Sequence, residues 1–180
     1  SLIGILVVAG NFAEEKENKT MDALLVTPTE DIYILFGKAL FGILFIFITV
    51  IFMFILNQIA LNSLIQFFNL FLLILSASIC LTAIGLFIGV ISESQTSARS
   101  IGTMVYFPIL FPTLIADLSS FTENLARFFP TYYLYSGLNK ILLYKETNIY
   151  NCIFMLILFG TIFSVTIFIK FNGGLNHEKI

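Results

Sequence analysis

Long apolar stretches alternate with short polar ones along this chain, and four of the apolar stretches have the length of a membrane span. A helix needs about 20 mainly apolar residues to cross the hydrocarbon core of a bilayer. The pattern predicts full spans over residues 33–56, 67–91, 101–116 and 152–171. The apolar residues 1–11 are too short to cross, and we expect them to be the end of a fifth, truncated span.

These elements predict an all-α integral membrane protein, a polytopic helical bundle that forms one transmembrane domain over residues 1–180. The composition agrees, because 58% of the residues are hydrophobic and 11% are charged, whereas a soluble domain carries about 25% charged residues. The formal net charge of −2 gives no reason to expect nucleic acid as a partner. Functional residues are therefore expected in the polar stretches between the predicted spans.

The most polar part of the chain, residues 12–32, follows the first apolar stretch and is called the charged segment below. Within it Met21, Leu24 and Leu25 recur at helical spacing among acids and lysines, which predicts a short amphipathic helix on the membrane surface. The run Thr27-Pro28-Thr29-Glu30 has the pattern of a capping box with proline at the first helical position. A new helix is therefore expected to begin at this proline and to enter the membrane directly.

Residues 117–150 are predicted to form an external re-entrant loop that contains two short helices. The run Ser120-Phe121-Thr122-Glu123 has the pattern of a capping box and predicts the start of the first helix, which Pro130 should end. Such a pair of helices can dip into the outer leaflet where protein or water covers its backbone. Four residues would form the apolar face of the first helix: Phe121, Leu125, Phe128 and Phe129.

Basic residues predict the orientation of the protein, because they collect on the cytoplasmic side of membrane proteins. Six of them fall on the side of the charged segment: Lys16, Lys19, Lys38, Arg99, Lys170 and Lys179. Three fall on the other side: Arg127, Lys140 and Lys145. The charged segment and the C-terminus are therefore expected in the cytoplasm, with the spans in the cell membrane.

Side chains suited to catalysis are sparse. The one histidine, His177, lies in the C-terminal tail, and neither H-E-x-x-H nor G-x-S-x-G occurs. The pair Gly37-Lys38 lacks the rest of a phosphate-binding loop, and we expect Lys38 to anchor the helix at headgroup level. The full spans also lack the Asp, Glu, His or Arg that ion-coupled carriers place at membrane depth. We expect no catalytic, cofactor-binding or metal-binding residue, and an energy source outside this chain.

Small residues form a stripe on the second full span, where Ser78, Thr82, Gly85 and Gly89 recur at helical spacing. Such stripes let membrane helices approach closely. Packing within the molecule and dimerisation both explain the stripe, and we favour packing within the molecule.

Several of these residues together resemble a known family. The resemblance is to the E-K-E-x-x-T-x-E-x-L-L-x-T-P…G-K pattern of permease subunits in ATP-binding-cassette exporters of the type-2 superfamily, with Asp22 in place of the usual Glu and Lys19 in place of the common Gly. The matching residues are Glu15-Lys16-Glu17, Thr20, Leu24-Leu25, Thr27-Pro28 and Gly37-Lys38. The stretch Ser92–Ala98, the prolines Pro108 and Pro112, and the run Phe129-Pro130-Thr131-Tyr132-Tyr133 resemble later landmarks of the same family.

The resemblance implies six spans per subunit and no ATPase site in this chain, with ATP and Mg²⁺ bound by a partner subunit. A second permease half, identical or different, would complete the translocation path. Leu24 and Leu25 would pack into a groove of the ATPase, and Glu15, Glu17 and Thr20 would contact its rim. The implied coupling residues are Glu14, Glu15, Lys16, Glu17, Thr20, Met21, Leu24, Leu25, Thr27 and Pro28.

Two other functions compete with the permease. A membrane scaffold or sensor subunit would bind a cytoplasmic partner through the charged segment without moving a substrate. A membrane enzyme would depend on single polar residues at membrane depth. Blocking ATP turnover in the partner separates the permease from the scaffold, because a scaffold would keep working.

Overall fold

The computed structural model describes residues 2–18, 31–56, 63–143 and 148–177, with side chains described over 2–18, 33–56, 63–143 and 148–169. Helices make up most of these residues. In chain order they are α1 (Leu2–Glu17), α2 (Asp31–Leu56), α3 (Leu64–Ile91), α4 (Gln95–Leu114), a 3-10 helix (Ala116–Leu118), α5 (Ser120–Ala126), α6 (Pro130–Leu142) and α7 (Tyr150–His177).

Four of the described helices are long and apolar enough to cross a membrane: Tyr33–Leu56, Leu64–Ile91, Gln95–Leu118 and Tyr150–Ile169. Each overlaps a stretch predicted as a full span, so the prediction of a helical membrane protein is confirmed. The main difference concerns α4, which begins before the predicted residue 101. Its first turn is polar, and it is started by a cap rather than by hydrophobicity, since the Ser94 hydroxyl accepts a hydrogen bond from the Ser97 N–H at 3.2 Å.

The first helix extends beyond the predicted end at residue 11 and continues to Glu17. The added residues include alanine, glutamate and lysine, which are strong helix formers. With 16 residues α1 is shorter than the four candidate spans. It nevertheless packs deep in the bundle, because Ile5, Ala9 and Ala13 are almost fully buried.

The centre of the bundle is α3, which contacts α7, α1, α2 and α6. In its most apolar window 72% of the residues are buried, compared with 11% in α2 and 22% in α7. A helix that is apolar all round must be buried in protein or lipid. The outward faces of α2 and α7 are therefore the surfaces that this bundle offers to the bilayer or to another subunit.

The small-residue stripe of α3 brings α1 into close contact. A Cβ atom built on Gly89 would lie 2.8 Å from the Cβ of Phe12 and 3.1 Å from the carbonyl oxygen of Ala9. A Cβ built on Gly85 would lie 3.1 Å from the carbonyl oxygen of Ile5. The two glycines therefore hold the α1 backbone against α3 within one chain.

The other two members of the stripe are also buried inside the molecule. Ser78 donates a hydrogen bond to the carbonyl oxygen of Leu75 at 2.8 Å. Thr82 faces α2, where a Cβ built on Gly42 would lie 2.7 Å from the Thr82 methyl carbon. The stripe is thus a packing surface for α1 and α2.

Two equivalent substitutions should have opposite effects on stability. Gly89→Ala should lower the free energy of unfolding by about 1–3 kcal/mol, because the added methyl group overpacks the contact with Phe12 and Ala9. Gly37→Ala should raise it by about 0.5–1 kcal/mol, since a helical glycine is replaced where a built Cβ meets no atom within 4 Å. Denaturant unfolding of both variants in detergent measures this difference. Equal stability of the two would contradict the close approach of α1 and α3.

The capping box of α5 lies one residue earlier than predicted. Ser119 is the N-cap, with an extended backbone, and its N–H donates to the Thr122 hydroxyl at 3.1 Å. Ser120 is already helical, so it cannot cap. Glu123, the predicted partner of the cap, forms its contacts elsewhere.

The predicted apolar face of α5 is turned outward. Phe121, Leu125 and Phe128 are all exposed, whereas Ala126 is the buried residue of this helix. Phe129, the fourth predicted member of the face, is half-buried, whereas the other three are open to their surroundings.

Candidate functional site

The last turn of α1 gathers four charged residues that contact three other parts of the bundle. Consecutive residues on a helix point about 100° apart, so a run of four reaches in several directions. Glu14 and Glu17 share a face, Glu15 points to α2, and Lys16 points to the end of α3. We call these four residues, together with Lys38 and Gln95, the polar junction.

Lys16 caps the C-terminus of α3. Its ammonium group donates hydrogen bonds to the carbonyl oxygens of Val90 at 3.3 Å and Ser92 at 3.2 Å. The last carbonyl groups of a helix lack partners within the helix and carry partial negative charge. The lysine thus satisfies these groups and holds the end of α3 against α1.

Glu17 and Glu14 hold the start of α4. The Glu17 carboxylate accepts a hydrogen bond from the backbone N–H of Gln95 at 2.9 Å. The Glu14 carboxylate accepts one from the Gln95 side-chain amide at 2.7 Å. A negative charge is favourable at a helix N-terminus, where backbone N–H groups lack partners. One face of α1 therefore fixes the first residue of α4 by two contacts.

Glu15 connects α1 to α2 through an ion pair with Lys38. The Lys38 side chain is only 15% exposed, and its ammonium group also lies 5.2 Å from the centre of the Phe12 ring. Removing either partner would leave a charge in partly buried surroundings, which costs more than an exposed pair is worth. The lysine predicted as a headgroup anchor is thus also a contact between two helices.

The charged segment continues past Asn18 into residues outside the described ranges, and α2 begins at Asp31. Glu14, Glu15, Lys16 and Glu17 lie in α1 with the partners given above. The remaining predicted coupling residues fall outside the described residues, as does the capping box predicted at the start of the next helix. They are Thr20, Met21, Leu24, Leu25, Thr27 and Pro28.

Sequence reasoning missed the role of Gln95 at the junction. Its neighbours carried a signal, because the polar run Ser92-Glu93-Ser94-Gln95 separates two apolar stretches and a serine sits three residues before Ser97. That pattern indicates a helix start. Nothing in it identifies Glu14 and Glu17 as the groups that contact the new helix.

A second polar cluster, the distal cluster, lies past the other end of α4. Arg127 donates a hydrogen bond to the Glu123 carboxylate at 2.8 Å, and the Tyr132 hydroxyl donates to the same oxygen at 3.0 Å. The Tyr135 hydroxyl donates to the Asp117 carboxylate at 3.0 Å. These contacts tie α5 and the 3-10 helix to α6.

The distal cluster shifts the pKa values of its members. Hydrogen bonds from Arg127 and then Tyr132 lower the pKa of Glu123 below its usual range. Partial burial, followed by the hydrogen bond to Glu123, raises the pKa of Tyr132. Both directions favour an ionised carboxylate facing a protonated phenol.

Acid should weaken the distal cluster. Because the pKa of Glu123 is lower in the folded protein, its contribution to stability is present above the unfolded pKa and is lost as pH falls through the folded pKa. Glu123→Gln should therefore lower the Tm slightly at neutral pH and make no difference well below pH 4. Thermal unfolding of both proteins across this pH range tests the expectation. A difference that persists unchanged in acid would contradict it.

Two buried threonines join α6 to the proline-containing part of α4. The Thr131 hydroxyl donates to the carbonyl oxygen of Ile109 at 2.7 Å, and the Thr113 and Thr131 hydroxyl oxygens lie 2.8 Å apart. Pro108 and Pro112 lie within α4 and remove two backbone donors from it. The threonine bridge thus joins α6 to α4 beside these two prolines.

No group suited to holding a metal ion is found in the described ranges, where no three His, Cys, Asp or Glu side chains cluster. The polar junction instead connects helices to one another. It holds the last turn of α1 against α2, α3 and α4 through hydrogen bonds and one ion pair.

Comparison with known proteins returns one family. The model of the family described as "ABC-2 family transporter protein" matches residues 1–169. No curated protein and no solved structure gives a significant match.

Proposed function

The chain belongs to the ABC-2 transporter family, and we propose that it forms half of the translocation path of an ATP-driven exporter, with the polar junction as its link to the ATPase. Membership makes it a multi-pass membrane permease of an ABC transporter, the transport component rather than the ATPase. An ABC ATPase subunit is its partner by family. Export, the coupling route and a second permease half are the proposed part.

The observation that carries the proposal is the set of contacts from the last turn of α1. Lys16 holds the end of α3, Glu17 holds the start of α4, and Glu15 holds α2. A displacement of the last turn of α1 would therefore act on the end of α3, the start of α4 and the Lys38 position of α2. This arrangement supports a role in transmitting force from a cytoplasmic partner to the spans.

The source of energy fits the same proposal. The described spans place their carboxylates at or beyond their ends. Binding and release of protons by carboxylates at membrane depth therefore cannot supply the energy for transport. In the proposed cycle ATP and Mg²⁺ bind on the ATPase subunit, and Leu24 and Leu25 of the charged segment pack against it. Two permease halves then alternate between inward-facing and outward-facing states.

The distribution of basic residues supports placing the junction in the cytoplasm. Lys16, Lys38 and Arg99 lie at the junction end of the bundle, whereas Arg127 follows the opposite end of α4. Six basic residues against three in the sequence favour the junction side as cytoplasmic. The C-terminus would then also be cytoplasmic, and the distal cluster would be external.

The proposal is tested on the full-length protein with its ATPase, purified in mild detergent and reconstituted into vesicles. Leu24→Asp should abolish co-purification of the ATPase and ATP-dependent transport while leaving membrane insertion intact. Burying an unpaired carboxylate in an apolar groove is too costly for the contact to persist. Normal transport by a correctly inserted Leu24→Asp protein would refute the coupling role, and function that is independent of ATP turnover would favour a scaffold.

A further inference from the structure

A cavity of about 190 Å³ lies beside the Glu15–Lys38 ion pair, between α1, α2 and α3. Among the described residues, three polar side chains line it: Asn11, Glu15 and Lys38. The transport function proposed above makes no use of this space, and the inference that follows does not depend on transport.

The part of the lining that the structure describes is electrically balanced. It carries one negative charge, one positive charge and one neutral amide, which can both donate and accept hydrogen bonds. An anion alone would be repelled by the carboxylate of Glu15, and a cation alone would be repelled by the ammonium group of Lys38. A group that carries a phosphate and an ammonium within a few ångströms of each other would face the opposite charge at both positions.

Lys38 retains hydrogen-bonding capacity while it is paired. A lysine ammonium group has three N–H donors, and the ion pair with Glu15 uses one of them. A phosphate can therefore bind Lys38 without breaking the contact between α1 and α2. Charge-assisted hydrogen bonds of this kind are among the stronger polar contacts in proteins.

The depth of the cavity matches that of a lipid headgroup. Lys38 lies five residues into the apolar span Tyr33–Leu56, which is about 7.5 Å along a helix at 1.5 Å per residue. Phe12, Phe41 and Leu86 supply apolar walls. The charged Glu15 and Lys38 lie nearer the junction end of the bundle than Phe12 and Phe41 on the same helices, as expected at the boundary between the headgroup and acyl regions of a bilayer.

Gly37 is the one residue without a side chain among the described residues that line the cavity. A Cβ built on this glycine meets no atom within 4 Å. The absence of a side chain leaves a gap on α2, the helix with the smallest buried share of the four candidate spans. Acyl chains can leave through this gap toward the bilayer.

We propose that this cavity binds the headgroup of a zwitterionic aminophospholipid, with its phosphate at Lys38, its ammonium at Glu15 and Asn11, and its acyl chains leaving past Gly37. The occupant is a membrane lipid of the leaflet on the junction side. Because the site lies between α1 and α2, the bound lipid would stabilise the contact between these two helices at the polar junction.

The experiment uses the full-length protein, delipidated in detergent and titrated with phosphatidylethanolamine, with binding followed by native mass spectrometry. Wild-type protein should bind one such lipid per chain at this site, and phosphatidylglycerol should not displace it. Lys38→Gln should weaken binding about tenfold through loss of a charge-assisted contact.

A second variant protects the test against misfolding of Lys38→Gln. Gly37→Leu adds a side chain in open space and should leave the fold intact while it blocks the gap on α2, again with about tenfold weaker binding. The matched control is Leu40→Phe, which enlarges an exposed residue of α2 that does not line the cavity and should bind as the wild type does. Unchanged binding by Gly37→Leu, or equal binding of phosphatidylglycerol, would overturn the proposal.

Discussion

Glu17→Lys should reduce ATP-dependent transport by about tenfold or more while the protein remains inserted and folded. The substitution removes the acceptor for the backbone N–H of Gln95 and places a positive charge at the positive end of α4. A hydrogen bond to a charged group contributes about 1.5–3 kcal/mol, and 1.4 kcal/mol corresponds to about a tenfold change in an equilibrium. The arrangement that links α1 to α4 should therefore become a minor population.

The matched control for this prediction is Glu93→Lys. Glu93 is exposed on the turn between α3 and α4, two residues before Gln95. Its replacement by lysine changes the charge by the same amount as Glu17→Lys does. Glu17→Gln should give an intermediate effect, because its amide oxygen can still accept the hydrogen bond. Transport and ATP hydrolysis measured in the same proteoliposomes separate lost coupling from lost ATPase binding. Equal transport by Glu17→Lys and Glu93→Lys would show that the contact with α4 carries no coupling.

The spans were predictable because the thickness of the hydrocarbon core of a bilayer sets the length of an apolar helix that crosses it. The stretch predicted over residues 33–56 coincides with the apolar part of α2. The start of α4 was not predictable in the same way, because its first residues, Gln95, Thr96 and Ser97, are polar and its start is set by hydrogen bonds. Hydropathy measures transfer into lipid, so it cannot detect a helix that begins outside it.

The importance of the charged segment was visible in the sequence, but the partners of its first residues were not. Lys16 and Ser92 are 76 positions apart, and Glu17 and Gln95 are 78 positions apart. No local pattern joins residues so distant along the chain. The stripe on α3 illustrates the same limit: its small residues predicted close packing, whereas the identity of α1 as the partner of Gly85 and Gly89 needed the structure.

Thr131→Val should destabilise the contact between α6 and α4 by about 1–3 kcal/mol, the cost of leaving buried polar groups without partners. The valine has nearly the same shape but cannot donate to the carbonyl oxygen of Ile109 or accept from Thr113. Both threonines are almost fully buried, so water cannot readily replace the lost hydrogen bonds. Hydrogen exchange at the start of α6 should become faster, and the change should be measurable without any assay of transport.

Thr131→Ser is the matched control, because serine keeps the hydroxyl group and loses only a methyl group. It should preserve slow exchange in α6 and cost less stability than the valine variant. If Thr131→Val exchanged as slowly as Thr131→Ser, the bridge would be dispensable. If transport failed only in the valine variant, the threonine bridge would be shown to hold α6 in a position that the transport cycle requires.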